Sequence, residues 1–152
     1  MEIKVMTRAY GEVTVDENQI IDFPEGILGF DYVKKFVFLE EENSPFLWMQ
    51  AFDEPELAFV LIRPVDFMGE YNLMISQSDM NNVKAESVSE LQVFAIVTIP
   101  QGDPKKMTAN LQGPIIVNIK MKLGIQAISQ SEKYTTKHSI INELSSNEVK
   151  EG

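Results

Sequence analysis

One histidine and no cysteine leave this 152-residue chain few ways to do covalent chemistry. A thiol nucleophile, a thiolate metal site and a disulfide frame are all excluded. His138 lies in a polar segment with no nucleophile near it in sequence, so it reads as a structural or solvated side chain. The sequence contains no nucleophile elbow, no glycine-rich phosphate loop and no EF-hand spacing. Carboxylates are plentiful, with 23 Asp and Glu against 13 Lys and Arg. The two densest runs are Glu40-Glu41-Glu42 and Asp53-Glu54-Pro55-Glu56. Neither has the ligand spacing of a cation cage, and nothing in the sequence sets two carboxylates across a cleft. No metal and no cofactor is expected, and the chain reads as a non-enzyme.

Binding chemistry remains. The net charge of −10 works against direct nucleic-acid binding, because Lys and Arg supply most of the affinity for phosphate. It works equally against anionic membrane surfaces. The excess is uneven: residues 1–76 hold 15 acidic and 5 basic side chains, whereas residues 77–152 hold 8 of each. The segment Met107-Thr108-Ala109-Asn110-Leu111-Gln112-Gly113 is polar but carries Met107 and Leu111. As an exposed loop it would mix apolar contacts with amides, as partner interfaces do; as an ordinary connection it would turn Leu111 inward. Met107, Thr108, Asn110 and Leu111 are therefore candidate partner contacts. Trp48, Phe46, Phe52 and Phe59 either fill a core or wall a pocket for a planar ligand such as a flavin.

The elements that must position these residues are short and strand-like. Ile3, Val5 and Thr7 alternate, Tyr10-Gly11 turns, and Val13 and Val15 alternate again, which predicts a hairpin. Gln19 to Phe23, Lys35 to Glu40, Phe46 to Ala51, Leu57 to Ile62, Tyr71 to Ile75 and Leu91 to Ile99 read as further strands, most of them bounded by Pro, Gly or acidic turns. Residues 23–30, FPEGILGF, are apolar but broken by Pro24, Gly26 and Gly29; they predict an ordered loop plugging one end of a barrel. The best helical stretch is 78–88, with Ser78 as cap and Asp79 in the first turn. Gln112-Gly113-Pro114 predicts a tight turn before the β-branched strand Ile115 to Ile119, and Ile125 and Ile128 follow a second glycine. The fold expected is mostly β: a small antiparallel β-barrel or sandwich with one or two short helices, one domain over 1–144 and a frayed tail over 145–152. No apolar run approaches a membrane span and the N-terminus has no leader pattern, so a soluble cytoplasmic protein is expected.

Three stretches taken together, IIDFPEGILGF at 20–30, SPFLWMQAFDEPELAFVL at 44–61 and MTANLQGPIIVN at 107–118, resemble the flagellar assembly factor FliW family of bacteria. Gln126 to His138 is similar to the end of that family, and the resemblance runs in order over about residues 2–141. It departs mildly at Met49, Ala51 and Lys137. The resemblance implies a small β-barrel without enzymatic activity. It implies binding to the carbon storage regulator CsrA, a dimeric RNA-binding repressor, so that repression of flagellin mRNA is relieved. It implies binding to flagellin as well, as a partner switch. The acidic half suggests how relief would work: Glu40, Glu41, Glu42, Asp53, Glu54 and Glu56, clustered in two turns of adjacent strands, would repel RNA from a captured regulator. Screening limits such a field to about 8 Å at physiological salt. The alternatives are a flavin-binding barrel, which would be coloured, and a homo-oligomer subunit; the free protein is expected to be a monomer.

Overall fold

The computed structural model describes residues 1–68 and 70–141. In chain order its elements are β1 (Glu2–Thr7), β2 (Gly11–Asp16), β3 (Ile20–Asp22), β4 (Lys35–Glu40), β5 (Phe46–Ala51), β6 (Ala58–Ile62), α1 (Val65–Met68), α2 (Gln77–Asn82), β7 (Gln92–Thr98), β8 (Thr108–Asn118), β9 (Leu123–Gln126) and β10 (His138–Ser139). The predicted tail over 145–152 lies outside the described residues.

Period-two alternation decides the architecture. On β4, Phe36 and Phe38 face one way, and Val37 and Leu39 face the other. On β6, Phe59 and Leu61 oppose Val60 and Ile62 in the same manner. One set of side chains closes inward. Strands β8-β7-β6-β5-β4-β3-β9 are hydrogen-bonded in that order, and β9 returns to β8, making a closed barrel of seven strands. Every pairing around it is antiparallel except β3 with β9, which is parallel at Asp22 and Leu123. Closure leaves few unpaired edges to manage.

Aromatic rings fill the interior. Phe23 meets Phe36 edge-on at 5.2 Å, Phe38 lies 5.3 Å from Phe94, and Phe30 meets Phe59 edge-on at 5.4 Å. The outward apolar set is covered by three separate layers. Val5 and Val15 of the β1–β2 hairpin pack over Val37. Phe67 of α1, Tyr134 and Ile140 cover Ile62, Ala95 and Leu111. Met80 and Val83, from α2 and its end, cover Ile116 and Ile125. Buried Asn118 fixes the last of these layers by donating to the Val83 carbonyl at 2.9 Å.

The hairpin and the strands at 35–40 and 46–51 lie where alternation put them. Three expectations need correction. The helix expected over 78–88 is Gln77–Asn82. It starts earlier because Ser76, not Ser78, accepts from the Asp79 amide at 3.0 Å, and it stops short of 88, with Lys84 at φ +55° just past its end. Residues 71–75 are irregular: the Asn72 amide donates to the Tyr134 hydroxyl rather than to a strand, so alternation there found no ladder. The third correction concerns Gly113-Pro114, which lies inside the eleven-residue β8 rather than in a turn before it.

Candidate docking groove at one end of the barrel

Along β8 the pairing with β7 slips between Phe94↔Ile115 and Ile96↔Asn110, so Leu111, Gln112, Gly113 and Pro114 stand opposite Ala95 alone. This enlarged β-bulge replaces the expected loop and turn. Asn110 builds it, its Oδ1 accepting from the Gln112 amide at 3.1 Å and the Gly113 amide at 2.8 Å. The displaced backbone finds partners elsewhere. Leu111 N–H donates to the Thr135 carbonyl at 3.0 Å, and the Leu111 carbonyl accepts from the Tyr71 hydroxyl at 3.0 Å. Burial pushes the Tyr71 phenol up to about 12, with Tyr134 adding to the shift.

Leu111 itself is fully buried, so its side chain presents nothing to a partner, contrary to the exposed-loop expectation. The inward alternative holds, because β8 alternation and the bulge both direct it into the layer under α1. Met107 is half-buried against the same layer, and half-buried Thr108 pairs with Ser139 and Thr98. Of the four residues only Asn110 reaches a concave surface.

That surface is a groove of about 650 Å³ between the loop 25–31, the β8 bulge and the end of β9. Leu28, in the loop, is 88% exposed, and Ile128, just past β9, is 72% exposed. The sequence did not mark either as a surface residue, although a signal existed for Ile128. Ile125 and Ile128 have opposite parity along an extended chain, so the α2 layer that covers Ile125 cannot cover Ile128 as well. The loop is folded tightly at Gly26, where φ is +68° and a Cβ would come within 2.5 Å of the Asp31 backbone. Gln126 spans the groove floor: its Oε1 accepts from the Leu28 amide at 3.0 Å and its Nε2 donates to the Gly113 carbonyl at 3.1 Å. Glu25 and Asp31 also line the groove, and neither makes an ion pair among the described residues.

The six acidic residues do not form one patch. The turns holding them lie at opposite ends of β5, a strand of six residues and thus about 20 Å long. That exceeds twice the screening length of about 8 Å. Two consecutive hairpins must reverse at opposite ends of their shared strand, which the sequence reading overlooked. Glu40 is paired with Arg63 at 2.6 Å. Glu41 accepts from the Tyr10 hydroxyl and from Trp48 Nε1, which hold its carboxyl below the usual range. Glu42 is exposed. Asp53, Glu54 and Glu56 occupy the other turn, all exposed, beside Lys34 and Lys35. Phe23 N–H bonds the Lys34 carbonyl and Phe52 N–H bonds the Lys35 carbonyl, so this second turn shares the groove's end of the barrel.

The aromatic residues weighed as ligand walls do not converge. Phe59 packs on the barrel interior, Phe46 under α1 and Phe52 under the β1–β2 hairpin, while Trp48 is bonded to Glu41. His138 is half-buried in β10, its ring 6.4 Å from that of Phe67. Among the described residues no group of three or more His, Cys, Asp or Glu is placed to hold a metal ion, and no helix is long and apolar enough to cross a membrane.

A filled, mostly antiparallel seven-strand barrel, with an outer groove lined by exposed apolar residues and by Glu25 and Asp31, is the class of protein that this fold defines. The sequence profile described as FliW protein matches residues 4–140, and the chain belongs to the FliW family. The flagellar assembly factor FliW of Treponema denticola is 43% identical over 145 residues, covering 95% of this chain and 96% of its own. That of Leptospira biflexa is 41% identical over 153 residues, covering 98% of this chain and 100% of its own. A crystal structure of the flagellar assembly factor FliW superposes with a TM-score of 0.84 at 32% identity, covering 91% of this chain and 96% of that one.

Proposed function

We propose that the protein is a cytoplasmic, non-enzymatic flagellar assembly factor that holds CsrA or flagellin in turn, using the groove beside Leu28 and Ile128 as its docking site. The observation that carries this reading is the pair of exposed aliphatic side chains facing a concave surface at one barrel end. Single exposed apolar residues are ordinary, whereas two lining the same groove offer apolar surface that one partner would desolvate together. One groove used by two partners gives a switch directly, since occupancy by flagellin frees CsrA to repress flagellin mRNA again.

The acidic end adds the second half of the mechanism. Asp53, Glu54 and Glu56, with Glu25 and Asp31 in the groove wall, would sit beside a docked RNA-binding dimer and make approach of messenger unfavourable. Glu40, Glu41 and Glu42 belong to the far end and take no part.

Size-exclusion chromatography with CsrA and flagellin, added singly and then together, tests the docking. The expected result is a complex with each partner alone and exchange rather than a ternary complex when both are present. Replacing Leu28 and Ile128 by Asp should abolish both complexes while the circular dichroism spectrum and the monomeric elution of the free protein stay unchanged. Both complexes surviving that double substitution would remove the groove from the mechanism.

A further inference from the structure

We propose that Gln126 is a positioning residue for the groove: it ties the loop carrying Leu28 to the β8 bulge, and so fixes where the exposed Leu28 stands on the surface that a protein partner must fit. The inference rests on the groove being the docking site, as proposed above. Gln126 is the last residue of β9, and its half-buried amide uses both ends. The acceptor end takes the Leu28 N–H and the donor end reaches the Gly113 carbonyl.

Two further observations single this amide out. The other backbone hydrogen bonds of the loop are internal to residues 23–34, running from Gly26 to Phe23, Phe30 to Ile27, Val33 to Phe30 and Phe23 to Lys34. Ile27 is buried and anchors the loop's base, but the Leu28 side chain is almost wholly in solvent and cannot hold its own position by packing. Gly113 completes the arrangement. A Cβ there would stand 3.1 Å from Gln126 Nε2 and 3.2 Å from Asn110 Nδ2, so a bare backbone lets both side-chain amides pack closely at the bulge. Asn110 shapes the bulge, Gln126 couples it to the loop, and Leu28 is the residue positioned.

A side chain that aligns a binding surface in advance reduces the ordering that binding must impose, so its loss should weaken affinity more than it weakens the fold. The test combines amide hydrogen exchange at Leu28, read by NMR on the free protein, with calorimetric titration of CsrA and of flagellin. In Gln126→Ala, Leu28 exchange should accelerate and the affinity for the groove partner should fall about tenfold, the loss of one to two hydrogen bonds. Exchange at core amides such as Leu61 should keep its original rate. Gln126→Glu keeps an acceptor for the Leu28 N–H but sets a carboxylate oxygen against the Gly113 carbonyl, so Leu28 protection should return while affinity stays reduced, a split that a merely structural side chain would not give. Unchanged Leu28 exchange in Gln126→Ala, or faster exchange with unaltered affinity, overturns the proposal. If the unsubstituted protein binds neither partner, the docking reading fails separately, and unchanged exchange at Leu28 would still reject the coupling.

Discussion

Asn110 does more structural work than its place in a polar segment suggested. Its carboxamide accepts two backbone amides that the bulge removes from the ladder, and truncation leaves both without that partner. Asn110→Ala should therefore cost about 1–2 kcal/mol. In a domain of this size that lowers Tm by roughly 2–8 °C, readable by thermal denaturation. Leu111→Ala should cost about 2–5 kcal/mol, since a wholly buried leucine leaves a cavity. A Leu111→Ala protein of unaltered stability would contradict its placement. At this scale the residue types were legible and their directions were not. Gly113-Pro114 was visible as punctuation, but a turn and a bulge use the same residues, and the local bonds by which Asn110 accepts from the Gln112 and Gly113 amides suit either. Leu28 lies in a segment read correctly as an ordered loop, yet only the fold shows which of its apolar residues faces out.

Among elements, β4 and β5 were readable to the residue because β-branched and aromatic residues alternate between clear stops. The stretch 71–75 alternates too, but its backbone and ring serve another purpose. Tyr71 and Tyr134 pack with tilted rings, centroids 4.5 Å apart, and together they strap residues 71–72 across the bulge. Propensity cannot report that a strand lacks a neighbour. The strap carries a pH signature. The Tyr71 phenol ionises at about 12 in the folded protein against 10.0 in an unconstrained tyrosine, because burial disfavours phenolate. A raised pKa means that the unfolded chain releases its proton first. The contribution is thus intact below pH 10 and is lost as pH rises from 10 towards 12. Urea titrations at pH 9 and pH 11 should show a smaller fall in stability for Tyr71→Phe than for the parent, even though the variant starts about 1 kcal/mol lower for want of the bond to Leu111. Equal falls in the two proteins would mean that Tyr71 is not the titrating group.

For the whole molecule, composition exposed the acidic excess of the first half but not its geometry. Linear nearness of the two acidic turns suggested one field, whereas the barrel sends them to opposite ends of β5. Family membership and the closed barrel were within reach of the sequence because ordered motifs and alternation both persist along the chain. The groove was not, since it is assembled from residues near 28, 110 and 126 that only barrel closure brings together. The division of charge separates two sets of carboxylates that sequence treated as one. The measurement that decides the account is the affinity of CsrA for flagellin mRNA in the presence of saturating protein, for two variants whose CsrA affinity is first shown to be unaltered. With Asp53→Asn, Glu54→Gln and Glu56→Gln combined, RNA affinity of the complex should recover about tenfold, equivalent to ~1.4 kcal/mol of removed repulsion. With Glu42→Gln at the far end it should stay as in the parent complex. Recovery from Glu42→Gln alone, or none from the triple substitution, would contradict it.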